Sequence, residues 1–160
     1  MNIPARHAFI IAASVAALSV QAAGGDEPQP RDAAPADPIV EKVIAANQRK
    51  DWDGAQATLR DALLKDPRNA DYHNLYAYAI RMGNQPNLDL VFKHYNEALR
   101  INPKHRGAHE YIGEAYLMTG NVAKAKDHLA QLERLCAAGC EERAALQREI
   151  SLFERQHAAK

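Results

Sequence analysis

From Pro38 onward, apolar residues recur every three or four positions, and no segment alternates apolar and polar residues as a half-buried strand would. Three stripes share one spacing of i, i+4, i+7: Ala55, Leu59 and Ala62; Val91, Tyr95 and Ala98; and Ala125, Leu129 and Leu132. A fourth stripe, Leu146, Ile150 and Phe153, runs between Arg143, Arg148, Glu149, Glu154 and Arg155, which predicts an amphipathic helix with one buried face. Glu141 and Glu142 suit its start, where carboxylates complement the helix dipole. Pro67 and Pro103 follow two of the stripes and are expected to stop those helices, because proline lacks the N–H and clashes with the preceding turn. The stretch Ile39 to Lys50 has a softer helical pattern and is expected to be the least stable element. The fold class is therefore all-α.

The stripes are also copies of one another. Their offsets are 36 residues (91 − 55, 95 − 59, 98 − 62) and then 34 (125 − 91, 129 − 95, 132 − 98). Ahead of them, Leu75, Tyr76, Ala79 and Gly83 align with Ile112, Gly113, Tyr116 and Gly120 at an offset of 37. On that alignment, three extra residues belong in the turn Gly83-Asn84-Gln85-Pro86-Asn87, whose composition breaks helices. A fixed period of this size marks a helical-repeat architecture. A single helix pair cannot bury its apolar face alone, so about three stacked units are the minimum for stability.

The stretches IGEAYLMTGNVAKA, YNEALRINP and DWDGAQATLRDALLKDP resemble the tetratricopeptide repeat family, and IVEKVIAANQRK matches it loosely. The resemblance covers roughly Pro38 to Leu135. It implies about three helix-turn-helix repeats, near 38–68, 69–105 and 106–138, closed by a capping helix over 141–157 in a short right-handed α-solenoid. Gly113 and Ala125 are expected where the two helices of one repeat cross, with Tyr116, Leu129, Tyr95 and Leu59 filling between neighbours.

The first residues read differently. Arg6 and His7 precede the uncharged run Ala8 to Val20, and Val20-Gln21-Ala22 offers a small-x-small cleavage pattern. As a helix this run would reach only about 20 Å, short of the roughly 30 Å bilayer core, so residues 1–22 read as a cleaved signal peptide rather than an anchor. No cysteine follows the run, which gives no support to a lipid anchor. Residues 23–37 are rich in Pro, Ala, Gly and Asp and have little to bury, so they read as a flexible tether. The expected location is periplasmic or secreted.

Composition narrows the partner. Twenty basic and twenty acidic residues cancel, so no long-range attraction to phosphate backbones is available and nucleic acid is not an expected partner. Membrane insertion after leader cleavage is not expected either. No nucleophile elbow, phosphate-binding glycine loop or acid–base carboxylate pair appears, so the chain reads as a non-enzyme with no cofactor.

Cys136 and Cys140 are the only cysteines, and an exported protein usually pairs them. Four apart in a continuous helix they would sit too far apart, but Gly139 permits a left-handed turn that brings Cys140 back. The reading is a disulfide between the third repeat and the cap; a redox dithiol or a soft metal site are the alternatives. Seven histidines invite a metal reading, since His105 and His109 share ligand spacing and His73, His94 and His128 lie nearby in the repeats. Without a matching carboxylate pattern they read as surface or half-buried polar positions, and no metal site is assigned.

The family resemblance implies a concave face lined by the first helices, on which a peptide or helix is laid. Helical phase assigns His73, Asn74, Ala77 and Arg81 to it from the second repeat, with Glu110, Glu114, Leu117 and Met118 from the third. Asn74 matches an asparagine with which some family members hold a peptide backbone or carboxylate, whereas the lysines of the carboxylate-clamp subtype are absent. The expected function is an exported protein-interaction or assembly module that binds a short polypeptide segment of another protein. The alternative is a periplasmic metal- or redox-related accessory protein using Cys136, Cys140 and the histidines.

Overall fold

The structure, a computed structural model, describes residues 37–158; the expected leader, 1–22, and the expected tether up to residue 36 lie outside the described residues. Seven helices and no strands make up the described residues: α1 (Pro38–Gln48), α2 (Trp52–Lys65), α3 (Ala70–Met82), α4 (Leu88–Ile101), α5 (Arg106–Met118), α6 (Val122–Leu135) and α7 (Glu141–Ala158).

Each helix up to α6 begins on a side chain that accepts a backbone N–H left over in its first turn. Asp37, Asp51, Asn69, Asn87, His105 and Asn121 serve α1 to α6 in this way. Asp37, the last residue of the expected tether, is thus the start of the fold. Its Oδ1 accepts from the Ile39 amide at 2.8 Å, and its Oδ2 accepts from the Tyr72 hydroxyl at 2.7 Å, which ties α1 to α3. Helices α2 and α4 end just before Pro67 and Pro103, and after each the capping side chain, Asp66 or Asn102, accepts from the amide two residues on.

Consecutive helices pair antiparallel-wise as α1–α2, α3–α4 and α5–α6, and each pair packs on the next. All nine stripe residues of α2, α4 and α6 are buried, because the second helix of each pair is covered by its own partner and by the following pair. Tyr95, Leu59, Ile112 and Val43 anchor one core, while Leu132, Leu146 and Ile150 anchor another next to α7, and Tyr116 packs against both.

The first helices correct the register read from the sequence. Helix α3 maps onto α5 end to end at an offset of 36 (106 − 70 and 118 − 82), not 37. The turn before α4 is Gly83–Asn87 and that before α6 is Thr119–Asn121, five residues against three, so the insertion is two residues. Matching Gly83 to Gly120 caused the slip. Gly120 has φ +75°, a left-handed turn that favours glycine, whereas Gly83 caps α3 in an extended conformation at φ −66°.

Gly113 is also re-assigned. It permits close approach not of its repeat partner but of α7: a Cβ there would lie 2.7 and 2.8 Å from the two Cδ atoms of Leu146. In this position α7 packs on α5 and α6 as α5 packs on α3 and α4. Between α6 and α7, Gly139 takes φ +98° and Cys136 is joined to Cys140, with their Cα atoms 5.7 Å apart. The bridge spans a turn, as the C-x3-C spacing requires.

Candidate functional site

Helices α3, α5 and α7 stand side by side and leave a cleft of about 620 Å³ between them. Its floor is a buried ion pair. Arg81 of α3 donates from Nη2 to Glu114 Oε2 of α5 at 2.7 Å, with the two side chains only 8% and 19% exposed. The same guanidinium donates from Nε to the Tyr95 hydroxyl at 3.4 Å and lies over the rings of Tyr78 and Tyr111, 5.5 and 5.8 Å from their centroids. Burial works against the charge on Arg81, but Tyr95 and Glu114 outweigh it and hold the guanidinium above its ordinary range. Such a pair must stay intact, since removing one partner strands a desolvated charge.

Glu110 sits one turn before Glu114 on the same face of α5 and makes no hydrogen bond or ion pair with any described residue. Burial, reinforced by Glu114, Glu142 and Glu141, pushes its carboxyl up to about 7, so it holds a proton on the acid side of neutrality. Burial likewise raises Glu114, against the pull of Arg81. Glu149 and Phe153 of α7 complete the far wall, and Met82 and Met118 form the rim at 40% and 50% exposure. Methionines exposed beside aromatic rings give an adaptable apolar surface. With Arg81 matched by Glu114, the carboxylates of Glu110 and Glu149 leave the cleft net acidic above neutral pH.

Of the eight residues assigned to the groove, Arg81, Glu110, Glu114, Leu117 and Met118 come together in this cleft. His73, Asn74 and Ala77 do not, and their assignment is corrected. They are 8%, 5% and 0% exposed, inside the helix layers. Ala77 is the counterpart of Gly113 at the offset of 36, a small residue where helices approach. Asn74 packs against Gly107 of α5, and His73 is paired with His94. The sequence reading missed Tyr78, Met82, Tyr111, Glu149 and Phe153. Tyr78 and Met82 follow from the corrected offset of 36, as counterparts of Glu114 and Met118, but the α7 residues enter only because the cap packs as a further first helix.

The histidines are distributed differently from the ligand spacing considered for them. His105 and His109 do not converge: His105 caps α5 and lies 3.0 Å from Asp71, while His109 faces His128. Among the described residues, no cluster of three His, Cys, Asp or Glu side chains could hold a metal ion. No helix among them is long and apolar enough to cross a membrane.

No protein-family model and no curated protein sequence matches the chain. Solved structures do match it in fold. The type III secretion translocator chaperone SycD of Yersinia enterocolitica superposes with a TM-score of 0.62 at 17% identity, covering 73% of this chain and 79% of SycD. SycD in complex with a peptide of the translocator YopD gives a TM-score of 0.62 at 14% identity over 74% of this chain and 92% of that one. PcrH bound to the chaperone-binding region of PopD gives 0.60 at 16% identity over 76% and 90%. The chain therefore shares the all-helical fold of these chaperones. At such identities the likeness extends to the fold alone.

Proposed function

We propose that this chain is an exported tetratricopeptide-type binding protein, without enzymatic activity, that holds a short polypeptide segment of a partner protein in the cleft between α3, α5 and α7. The observation that carries this reading is the cleft itself: a buried Arg81–Glu114 floor, unpaired carboxylates at Glu110 and Glu149, and exposed Met82 and Met118 on the rim. An apolar side chain can seat against the methionines and Phe153 while a neighbouring Lys or Arg meets the carboxylates. The favoured occupant is accordingly a segment that mixes basic and apolar residues. The cleft is short, bounded by α7 on one side, which suits a brief segment. The fold neighbours SycD and PcrH, which carry a YopD peptide and the chaperone-binding regions of PopB and PopD, support a helical-repeat module of this size as a peptide holder. The leader-like residues 1–22 support export.

Site-specific photo-crosslinking in the native cell tests the reading. A photoreactive residue at Met118 should yield a discrete adduct with another polypeptide, and one at Leu64, 84% exposed on α2 and outside the cleft, should not. Equal yields at the two positions, or none at Met118, would refute the cleft as the binding site.

A further inference from the structure

Away from the cleft, the second and third helix pairs each contain a histidine pair in equivalent places. His73 of α3 faces His94 of α4 with the Nδ1 atoms 2.8 Å apart, and His73 Nε2 lies 3.0 Å from the carbonyl oxygen of Pro67. His109 of α5 faces His128 of α6 with the Nδ1 atoms 3.0 Å apart, and His109 Nε2 lies 3.1 Å from the carbonyl oxygen of Pro103. The offsets are 36 for the first histidines (109 − 73) and the prolines (103 − 67), and 34 for the second histidines (128 − 94). These are the offsets of the repeats themselves, so the arrangement belongs to the repeat and not to one accidental contact.

The geometry fixes the protons. A carbonyl oxygen only accepts, so His73 and His109 carry their hydrogen on Nε2 and present a lone pair at Nδ1. His94 and His128 must then donate from Nδ1. One proton fills each gap between the rings. In acid His94 and His128 take their second proton on Nε2, outside the gap, as a half-buried charge. A proton added to Nδ1 of His73 or His109 would instead set two N–H groups head to head and part the rings.

We propose that His73–His94 and His109–His128 are acid-sensitive latches, each holding the two helices of its repeat together while neutral and releasing them as the pH falls. Burial and then the partner ring push His94 and His128 down to about 4, and burial lowers His109. Other groups facing the rings act with smaller effect. Lys93 disfavours and Glu97 favours a charge on His94; Lys124 disfavours and Asp127 favours one on His128; His105 disfavours one on His109. Tyr76 packs its ring edgewise on His94, and Tyr116 stacks on His128.

In the folded chain His94, His109 and His128 take up protons at lower pH than free histidine, whose ordinary value is about 6.5. Their contribution to stability is therefore complete above pH 6.5 and declines as the pH falls toward 4, because the unfolded chain binds the protons first. Glu110 and Glu114 have raised values and act in the opposite direction over this range, so the whole protein reports a difference and a variant is needed to isolate the latches.

The test uses the full chain and H94N/H128N, in which an asparagine N–H can still donate to the lone pair on His73 or His109 but does not titrate. Unfolding constants are measured in urea at pH 6 and pH 5. The ratio of wild type to variant should rise about sevenfold for each histidine removed, hence about fiftyfold between the two pH values. A ratio that does not change would overturn the proposal. Two-bond 1H–15N imidazole spectra of the wild type at pH 7 give a second readout, one that does not require the variant to fold. His73 and His109 should appear as Nε2–H tautomers and His94 and His128 as Nδ1–H tautomers. Rapidly averaged tautomers within either pair would also overturn it.

Discussion

The close approach of Gly113 to Leu146 gives a quantitative test of how the cap is seated. Leu146 is fully buried against α5, so L146A removes its side chain and leaves a void, at a cost of about 3 kcal/mol. G113A in the wild-type background adds a methyl group 2.7 and 2.8 Å from the Leu146 Cδ atoms. The fully buried Leu146 side chain must shift to make room, and overpacking of this kind costs about 2 kcal/mol. Alanine returns about 1 kcal/mol through its better helix propensity, which leaves a net loss of about 1 kcal/mol. In the L146A background the obstruction is gone. The same G113A change should then stabilise the protein by about 1 kcal/mol, a coupling of about 2 kcal/mol between the two sites. Urea unfolding of the four chains at one pH measures the cycle. If G113A had the same effect in both backgrounds to within about 0.5 kcal/mol, α7 would not be seated on α5 through this contact. The wall of the cleft built from Glu149 and Phe153 would then be misplaced as well.

Three further outcomes follow from the site. E114Q should lower stability by about 3 kcal/mol, because it strands the buried Arg81, and R81M/E114L should recover most of that loss in thermal unfolding. Reduction of Cys136–Cys140, or C136A/C140A, should cost no more than about 2 kcal/mol, since the closed loop is short; a denaturant midpoint unchanged by reductant would show that the bridge does not restrain the native chain. Glu110 has a raised value of about 7, so its protonated form favours the fold and that contribution is lost as the pH rises through 7. E110Q should therefore be more stable than wild type at pH 8 and nearly equal to it at pH 5, as followed by thermal melts.

The second helices were legible from sequence because each of their stripe positions is covered on two sides, which demands apolar residues at fixed spacing. The three stripes give the same nine buried residues in the structure. The first helices were read one residue out of register because a glycine in a left-handed turn, Gly120, and a glycine in an extended cap, Gly83, look alike in one-letter code. That slip directed His73 and Ala77 to the groove, as counterparts of Glu110 and Glu114 at the offset of 37, and the polar character of Asn74 directed a third interior residue there. Hydropathy cannot register that His73 is satisfied by His94, 21 residues on, and by the carbonyl of Pro67. Arg81 and Glu114 were each read from helical phase, but their coupling across 33 residues depends on helix stacking. Glu149 and Phe153 were hidden for the same reason: their role requires α7 to stand beside α5.

The most direct test of the binding account is selection of short random displayed peptides on the full chain, in parallel with E110K/E149K. The two substitutions reverse the unpaired charges of the cleft and leave the Arg81–Glu114 floor in place. The account predicts that the wild type enriches peptides combining a Lys or Arg with neighbouring apolar residues, and that these peptides fail on E110K/E149K. Enrichment of the same peptides by both proteins would contradict it.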